Sequence, residues 1–399
     1  MTTASTLTLP AYADEFLLRR DITFLNHGSF GACPRPVFNV YQEWQRELEA
    51  QPVDFLGRRM GDLIHAARAR LATYLGTSAD ALVFVPNATS GVNAVARSLP
   101  LEPGDEIMGT NHEYGAVDRT WRFVCRQRGT RYINQPLALP IHTPEEFMEQ
   151  LWAGVTERTR VISISHITSF SALKFPVEEV CRRARAAGIL TVIDGAHAPG
   201  QIDLHLDTLG ADFYTGNCHK WLCAPKGAGF LYARADWQHL VEPLVVSHGW
   251  ESETPGASRF HDHFDWNGTH DPAAYLSIPA AIDFQAERDW PQVRAACHEL
   301  AQVARDRIGL MTGLPQICPD SPDWWGQMCT IPLPPGDARE LHRRLWEEFR
   351  IEIPTMTWQN QRFIRVSIQA YNGPADVEHL LAALADLLPA QTPVDAAGR

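Results

Sequence analysis

From about residue 80 onward, short apolar runs alternate with amphipathic stretches. Residues 81–85, 106–108, 160–164 and 190–193 read as strands. Residues 91–97, 116–126, 145–152 and 177–187 read as the helices between them. Strand and helix in alternation predict a mostly parallel sheet covered on both faces, an α/β architecture. Upstream, residues 36–75 read as mainly helical, with Pro36 suited to a helix start and an interruption near Pro52. A second unit begins near Tyr275 with a helical pattern over 279–308, which Pro291 is expected to break or kink. Strand-like pieces at 328–332 and 363–368 and helices at 338–349 and 375–388 complete a smaller α+β unit. The expected division is an arm (1–20), a large unit (21–274), a small unit (275–390) and a disordered tail (391–399), with 21–75 free to pack on the small unit.

Composition narrows the function classes. A chain of 399 residues is too long for one ordinary core. Its net charge of -12 argues against a nucleic-acid or anionic-membrane surface. The first residues lack a basic stretch followed by an apolar one, so no signal peptide is read. No apolar run approaches the roughly 20 residues of a membrane span. Eight cysteines are scattered without a Cys-x-x-Cys pair. That pattern fits free thiols in a reducing cytoplasm rather than a zinc ribbon or a redox site.

Five stretches carry candidate chemistry. In the first, Lys220 is bracketed by Asn217, Cys218, His219 and Trp221, after a strand-like stretch and before a glycine-rich, loop-like one at 224–230. Burial would lower its pKa and free its amine as a nucleophile, although a lysine snorkelling from a core edge would read the same way. In the second, Asp194 ends the apolar run 190–193 and is followed by Gly195, Ala196 and His197. A carboxylate at the end of a parallel strand lies where such sheets bind ligands and can hold a pyridine nitrogen protonated; a helix cap or turn is the competing reading. In the third, Ala88, Thr89 and Ser90 link a strand to a helix, as a phosphate cradle or a plain cap would. In the fourth, Tyr114 follows another strand, where an aromatic ring can stack on a flat cofactor or simply fill core. In the fifth, Arg365 lies in a strand-like run among aliphatic residues, as a carboxylate clamp or a surface ion pair.

Taken together and in this order, the stretches resemble the class V branch of the pyridoxal-phosphate aminotransferase superfamily, and within it the isopenicillin N epimerase group. The resemblance rests on residues 25–31, 54–56, 194–200, 217–222, 349–354 and 365–367, and spans about 20 to 388. The acid stands 26 residues before the lysine, at 194 and 220, as in that family. The resemblance implies a fold-type I enzyme with pyridoxal 5'-phosphate as a Schiff base on Lys220. It implies Asp194 on the pyridine nitrogen, His197 near the ring hydroxyl and Tyr114 stacked on the ring. It places Thr89, Asn217, His219 and the backbone of Ala88 on the phosphate, and Asn26 and Arg365 on a substrate carboxylate. Gly268 and Thr269 resemble the pair that the family sends to the partner's phosphate, which implies a homodimer with the site at the subunit interface. Asn217 departs from the usual serine, a mild change because both donate to phosphate.

The first activity implied is epimerisation of a small amino-acid-type substrate. Lys220 would serve one face of the α-carbon, and Tyr114, water or a partner residue the other. The alternative is carbon–sulfur β-elimination, as in the hercynylcysteine sulfoxide lyases that resemble the same subgroup, with Tyr114 protonating the departing sulfur. Desulfuration through a persulfide is disfavoured because residues 351–362 contain no cysteine, and transamination matches the subgroup less well. His261, Asp262, His263, Asp265 and His270 cluster loosely but fit no zinc spacing, so no metal is expected. His248, Trp250 and Trp358 are candidates for shaping the substrate pocket.

Overall fold

A computed structural model describes residues 12–389. The expected tail at 391–399 and most of the expected arm lie outside them. Twelve strands follow in chain order: β1 (Thr23–Phe24), β2 (Leu82–Val85), β3 (Glu106–Thr110), β4 (Arg131–Gln135), β5 (Thr159–Ser165), β6 (Leu190–Gly195), β7 (Phe213–Asn217), β8 (Gly229–Ala233), β9 (Met328–Leu333), β10 (Ile351–Glu352), β11 (Thr355–Trp358) and β12 (Gln361–Ser367). Seven form the central sheet in the order β2-β8-β7-β6-β5-β3-β4. Only β8 runs against its neighbours, pairing antiparallel with both β2 and β7. The architecture is an α/β fold with a mostly parallel large sheet and a smaller C-terminal sheet, in keeping with the fold the resemblance implies.

Alternate residues of these strands enter two different cores, which is why the runs read as continuously apolar. Val83, Val161, Val192, Phe213 and Leu231 pack with Val92 and Val95 of helix Ala88–Ser98 and with Trp121 and Val124 of helix Gly115–Arg128. Leu82, Phe84, Ile162, Ile193, Tyr214 and Phe230 face the opposite layer. A side-chain period of two, with both faces covered, leaves no polar stripe.

Three sequence readings change. β4 was not anticipated: it is an edge strand, exposed or half-buried throughout, so Arg131, Asn134 and Gln135 mask it. Gly229 and Phe230 begin β8 rather than ending a loop. Pro291 does not break a helix but sits in the first turn of Trp290–Thr312, where its missing N–H costs nothing. The break lies just before it, at Asp289, with φ of 44°.

The small antiparallel sheet, β11-β12-β9, places Arg365 opposite Thr330. The early helical segment is tied to this part of the chain through β1, which pairs in parallel with β10. No helix among the described residues is long and apolar enough to cross a membrane.

Candidate active site

The carboxyl ends of β6 and β7, the turn after β2 and the turn after β3 converge on a cavity of about 530 Å³. Thr89, Tyr114 and Asp194 line it together with His197, Asn217, His219 and Lys220. Residues far apart in sequence meet because each follows the end of a neighbouring strand, the position at which open α/β sheets bind ligands.

Lys220 is held from several sides. Its Nζ lies 3.1 Å from His197 Nε2. Its carbonyl accepts from His27 Nε2 at 3.0 Å. Two glycines permit this packing. At Gly31, with φ of 69°, a Cβ would stand 2.1 Å from the His219 carbonyl oxygen and 2.8 Å from Lys220 Cα. At Gly200, with φ of 88°, it would stand 2.3 Å from the backbone of Trp221. Only glycine adopts such a backbone at so close an approach without strain. Gly200 thus lets the loop after β6 lie on the Lys220 segment and brings His197 to the amine.

Burial lowers the Lys220 amine to about 7, with the Arg365 charge acting the same way and Asp194 opposing. Between that value and the ordinary 10.5, the unfolded chain binds more protons than the folded one, so this group's contribution to stability rises with pH. The cost of burying it is fully present below about 7 and vanishes above 10.5. Replacing Lys220 by Met is therefore expected to stabilise the cofactor-free chain at neutral pH by ~2 kcal/mol, with the gain fading toward alkaline pH. Urea unfolding across that range measures it; a gain that grows with pH would contradict the sign.

Asp194 is buried, accepts from the Ala196 amide at 2.9 Å, and is raised by desolvation against the pull of Ala196 and Lys220. Burial holds His197 far below its ordinary value, so it is neutral. At the other end of the cavity, Asn87 caps helix Ala88–Ser98 by accepting from Ser90 N at 2.9 Å. The Ala88 amide donates to Asn217 Oδ1 at 2.8 Å. His219 Nδ1 donates to the Ala228 carbonyl at 3.0 Å, leaving Nε2 for a ligand. Burial lowers His219 to about 4, and a phosphate beside it would favour its protonated form. Thr89, Ser90, Asn217, His219 and the helix N-terminus suit an anion at one end; at the other, Asp194 offers a carboxylate and Lys220 an amine.

Arg365 and Asn26 are buried but do not line this cavity; Ser29 and Ser169, which they hold, do. Arg365 Nη2 donates to Ser29 Oγ at 3.0 Å and to Asn26 Oδ1 at 3.3 Å, and Nη1 bonds Ser169. Asn26 Nδ2 donates to Glu352 at 2.9 Å. The buried Nε of Arg365 has no partner among the described residues. Arg365 is buried and no carboxylate among the described residues is bonded to its guanidinium, so the surface-ion-pair reading of Arg365 does not hold. Tyr114 is half exposed at the cavity rim, directly before helix Gly115–Arg128. Thr269, His248 and Trp250 are exposed and outside the cavity, and half-buried Trp358 lies outside it too.

Sequence reasoning missed Ser29, Ser165, Ser169 and Glu113. Glu113 is buried, accepts from Ser165 N, Ser165 Oγ and Thr110 Oγ1, and is raised by burial to about 7. All eight cysteines are free, and none lines the cavity. Among the described residues no group of three or more His, Cys, Asp or Glu could hold a metal ion.

This geometry is that of a pyridoxal-phosphate site, and the class V aminotransferase family matches residues 26–380: the chain belongs to that family. It is similar to an isopenicillin N epimerase of Amycolatopsis lactamdurans, 38% identical, with 92% of this chain and 95% of that protein covered. A putative L-cysteine desulfhydrase of Oryza sativa is 28% identical, with 91% and 83% covered. A solved cysteine desulfurase of Escherichia coli, 21% identical, shares the fold with a TM-score of 0.79 over 95% of this chain and 98% of that one. The pyridoxal-phosphate dependence of this chain follows from its family, and Asp194, Lys220 and the Thr89–His219 end of the cavity would fit the nitrogen, aldehyde and phosphate of that cofactor.

Proposed function

We propose that the chain catalyses carbon–sulfur β-elimination from a cysteine-type amino acid. The observation that carries this reading is one lysine amine in the cavity lining, Lys220, held against neutral His197, with no cysteine among the described lining residues. Pyridoxal phosphate, when bound, supplies an electron sink for negative charge at the substrate α-carbon. Lys220 takes the α-proton. The Cβ–S bond then breaks, and sulfur leaves with its electron pair and is protonated by Tyr114 or water. The aminoacrylate product hydrolyses to pyruvate and ammonia. One base suffices for this sequence, and the absence of a cavity thiol disfavours persulfide transfer.

In this reading Asp194 pairs with the pyridine nitrogen, His197 lies near the ring hydroxyl and Tyr114 stacks on the ring. Thr89, Asn217 and His219 hold the phosphate, and the Ala88 amide, by donating to Asn217 Oδ1, turns the Asn217 NH2 toward it. Arg365, positioned by Asn26, takes the substrate carboxylate together with Ser29 and Ser169. Exposed Thr269 serves the partner's site in a homodimer.

Epimerisation is the second reading, favoured by the 38% identity to an isopenicillin N epimerase and by the Tyr114 hydroxyl as a second acid or base. The order implied by the sequence resemblance is thus reversed, because the cavity offers one lysine amine, and its two imidazoles, His197 and His219, are assigned to Lys220 and to the phosphate end. Incubation in D₂O with cysteine, a cysteine-conjugate sulfoxide and isopenicillin N separates the two. Pyruvate is expected with stoichiometric sulfide from cysteine or sulfenate from the sulfoxide. Deuterium incorporation with diastereomer exchange and no pyruvate would replace the first reading by the second.

A further inference from the structure

We infer that Trp221 is a positioning residue: its indole N–H fixes which nitrogen of His197 carries the proton, and thereby holds Lys220 as a free amine. The inference does not depend on whether elimination or epimerisation follows.

Trp221 is fully buried, and its Nε1 donates to His197 Nδ1 at 3.2 Å. An indole nitrogen can only donate, so Nδ1 must accept. Neutral imidazole carries one proton, which is then on Nε2. That Nε2 lies 3.1 Å from Lys220 Nζ. A protonated lysine has only donors and would meet this N–H donor to donor. A neutral amine has a lone pair to accept it. The chain of contacts therefore runs in one direction, from Trp221 to His197 to Lys220.

The elements around this chain support it. Gln285 Nε2 donates to the Trp221 carbonyl at 2.8 Å, and Trp290 Nε1 to the Gly200 carbonyl at 3.3 Å. Gln201 Nε2 donates to the His197 carbonyl at 2.8 Å. The charged and titratable groups acting on His197 are Lys220, Arg365, His27 and His219. Burial keeps His27 and His219 neutral, at about 3 and about 4, and Arg365 disfavours a second cation. Asp194 acts on Lys220 in the opposite sense. With so much opposing charge to balance, the His197 tautomer decides whether the imidazole repels or accepts an ammonium proton. Without the indole N–H, His197 is free to carry its proton on Nδ1 and to accept from a protonated Lys220.

The direct test is nitrogen-15 NMR of histidine-labelled full-length protein, cofactor-loaded and cofactor-stripped, with His197 assigned from a His197→Gln difference spectrum. Protonation at Nε2 is expected in both forms; an Nδ1–H signal in either overturns the inference. The second test is Trp221→Phe, which keeps a ring and removes the donor. The pH dependence of Lys220 acylation in the stripped protein, read by peptide mapping, is expected to shift upward by roughly one unit, a tenfold smaller free-amine fraction. An unchanged midpoint in a folded Trp221→Phe protein also overturns it. If that variant does not fold, the spectrum of the parent protein decides.

Discussion

Lys220→Ala protein is expected to be colourless as purified, to yield no borohydride-fixed cofactor peptide, and to turn over ~10³-fold more slowly than its parent. In the roles proposed for Lys220, two functions would be lost at once: the covalent attachment point and the base for the α-proton. A useful comparison is Lys226→Ala. Lys226 is also lowered by burial, and its Nζ donates to the Gly31 carbonyl at 2.9 Å. It does not line the cavity, so its variant should keep the fixed peptide. Absorbance, borohydride reduction and peptide mapping distinguish the two lysines. A coloured, active Lys220→Ala enzyme would remove the basis for every residue role proposed above.

What made Lys220 and Asp194 legible is that each ends or follows a short strand whose residues are buried on both faces. The sequence there combines an apolar run with a residue that such a run does not normally tolerate. The same contrast marks Thr89 and Tyr114, which follow strands on the same sheet edge. Arg365 was legible for the same reason in the small sheet. Its surroundings were legible only in part: the resemblance named Asn26, but not Ser29 three residues on or Ser169 from a distant segment, because nothing in their local patterns distinguishes them from turn residues. Glu113 stood within a stretch already singled out. Its role behind Ser165 depends on β3 and β5 lying side by side, with Glu113 just beyond the end of β3. The bond from Trp221 to His197 is of the same kind: both stretches are visible in sequence, but the contact exists only because Gly200 permits the loop to close on the Lys220 segment. β4 was hidden for the opposite reason, since an edge strand exposes polar residues and loses its apolar signature.

Asp194→Asn isolates charge from geometry. An asparagine carbonyl can keep the bond to the Ala196 amide, so the loop after β6 should stay in place. What would be lost, in the role proposed for Asp194, is the carboxylate that favours a proton on the pyridine nitrogen. Removing one fixed electrostatic group of this kind typically costs a factor of 10²–10³ in turnover, about 3–4 kcal/mol. The loss is expected in kcat more than in KM, because the substrate is held elsewhere, through the Arg365 network, while negative charge at the α-carbon develops only in the transition state. Exchange of the α-proton in D₂O should fall by a similar factor with every substrate tested, since elimination and epimerisation share that step. Asp194→Glu keeps the charge but lengthens the side chain against a buried wall, so it should recover only part of the rate. If Asp194→Asn instead exchanged the α-proton at nearly the parent rate, Asp194 would be a loop-capping residue, and the electron sink would have to be sustained without a protonated ring nitrogen.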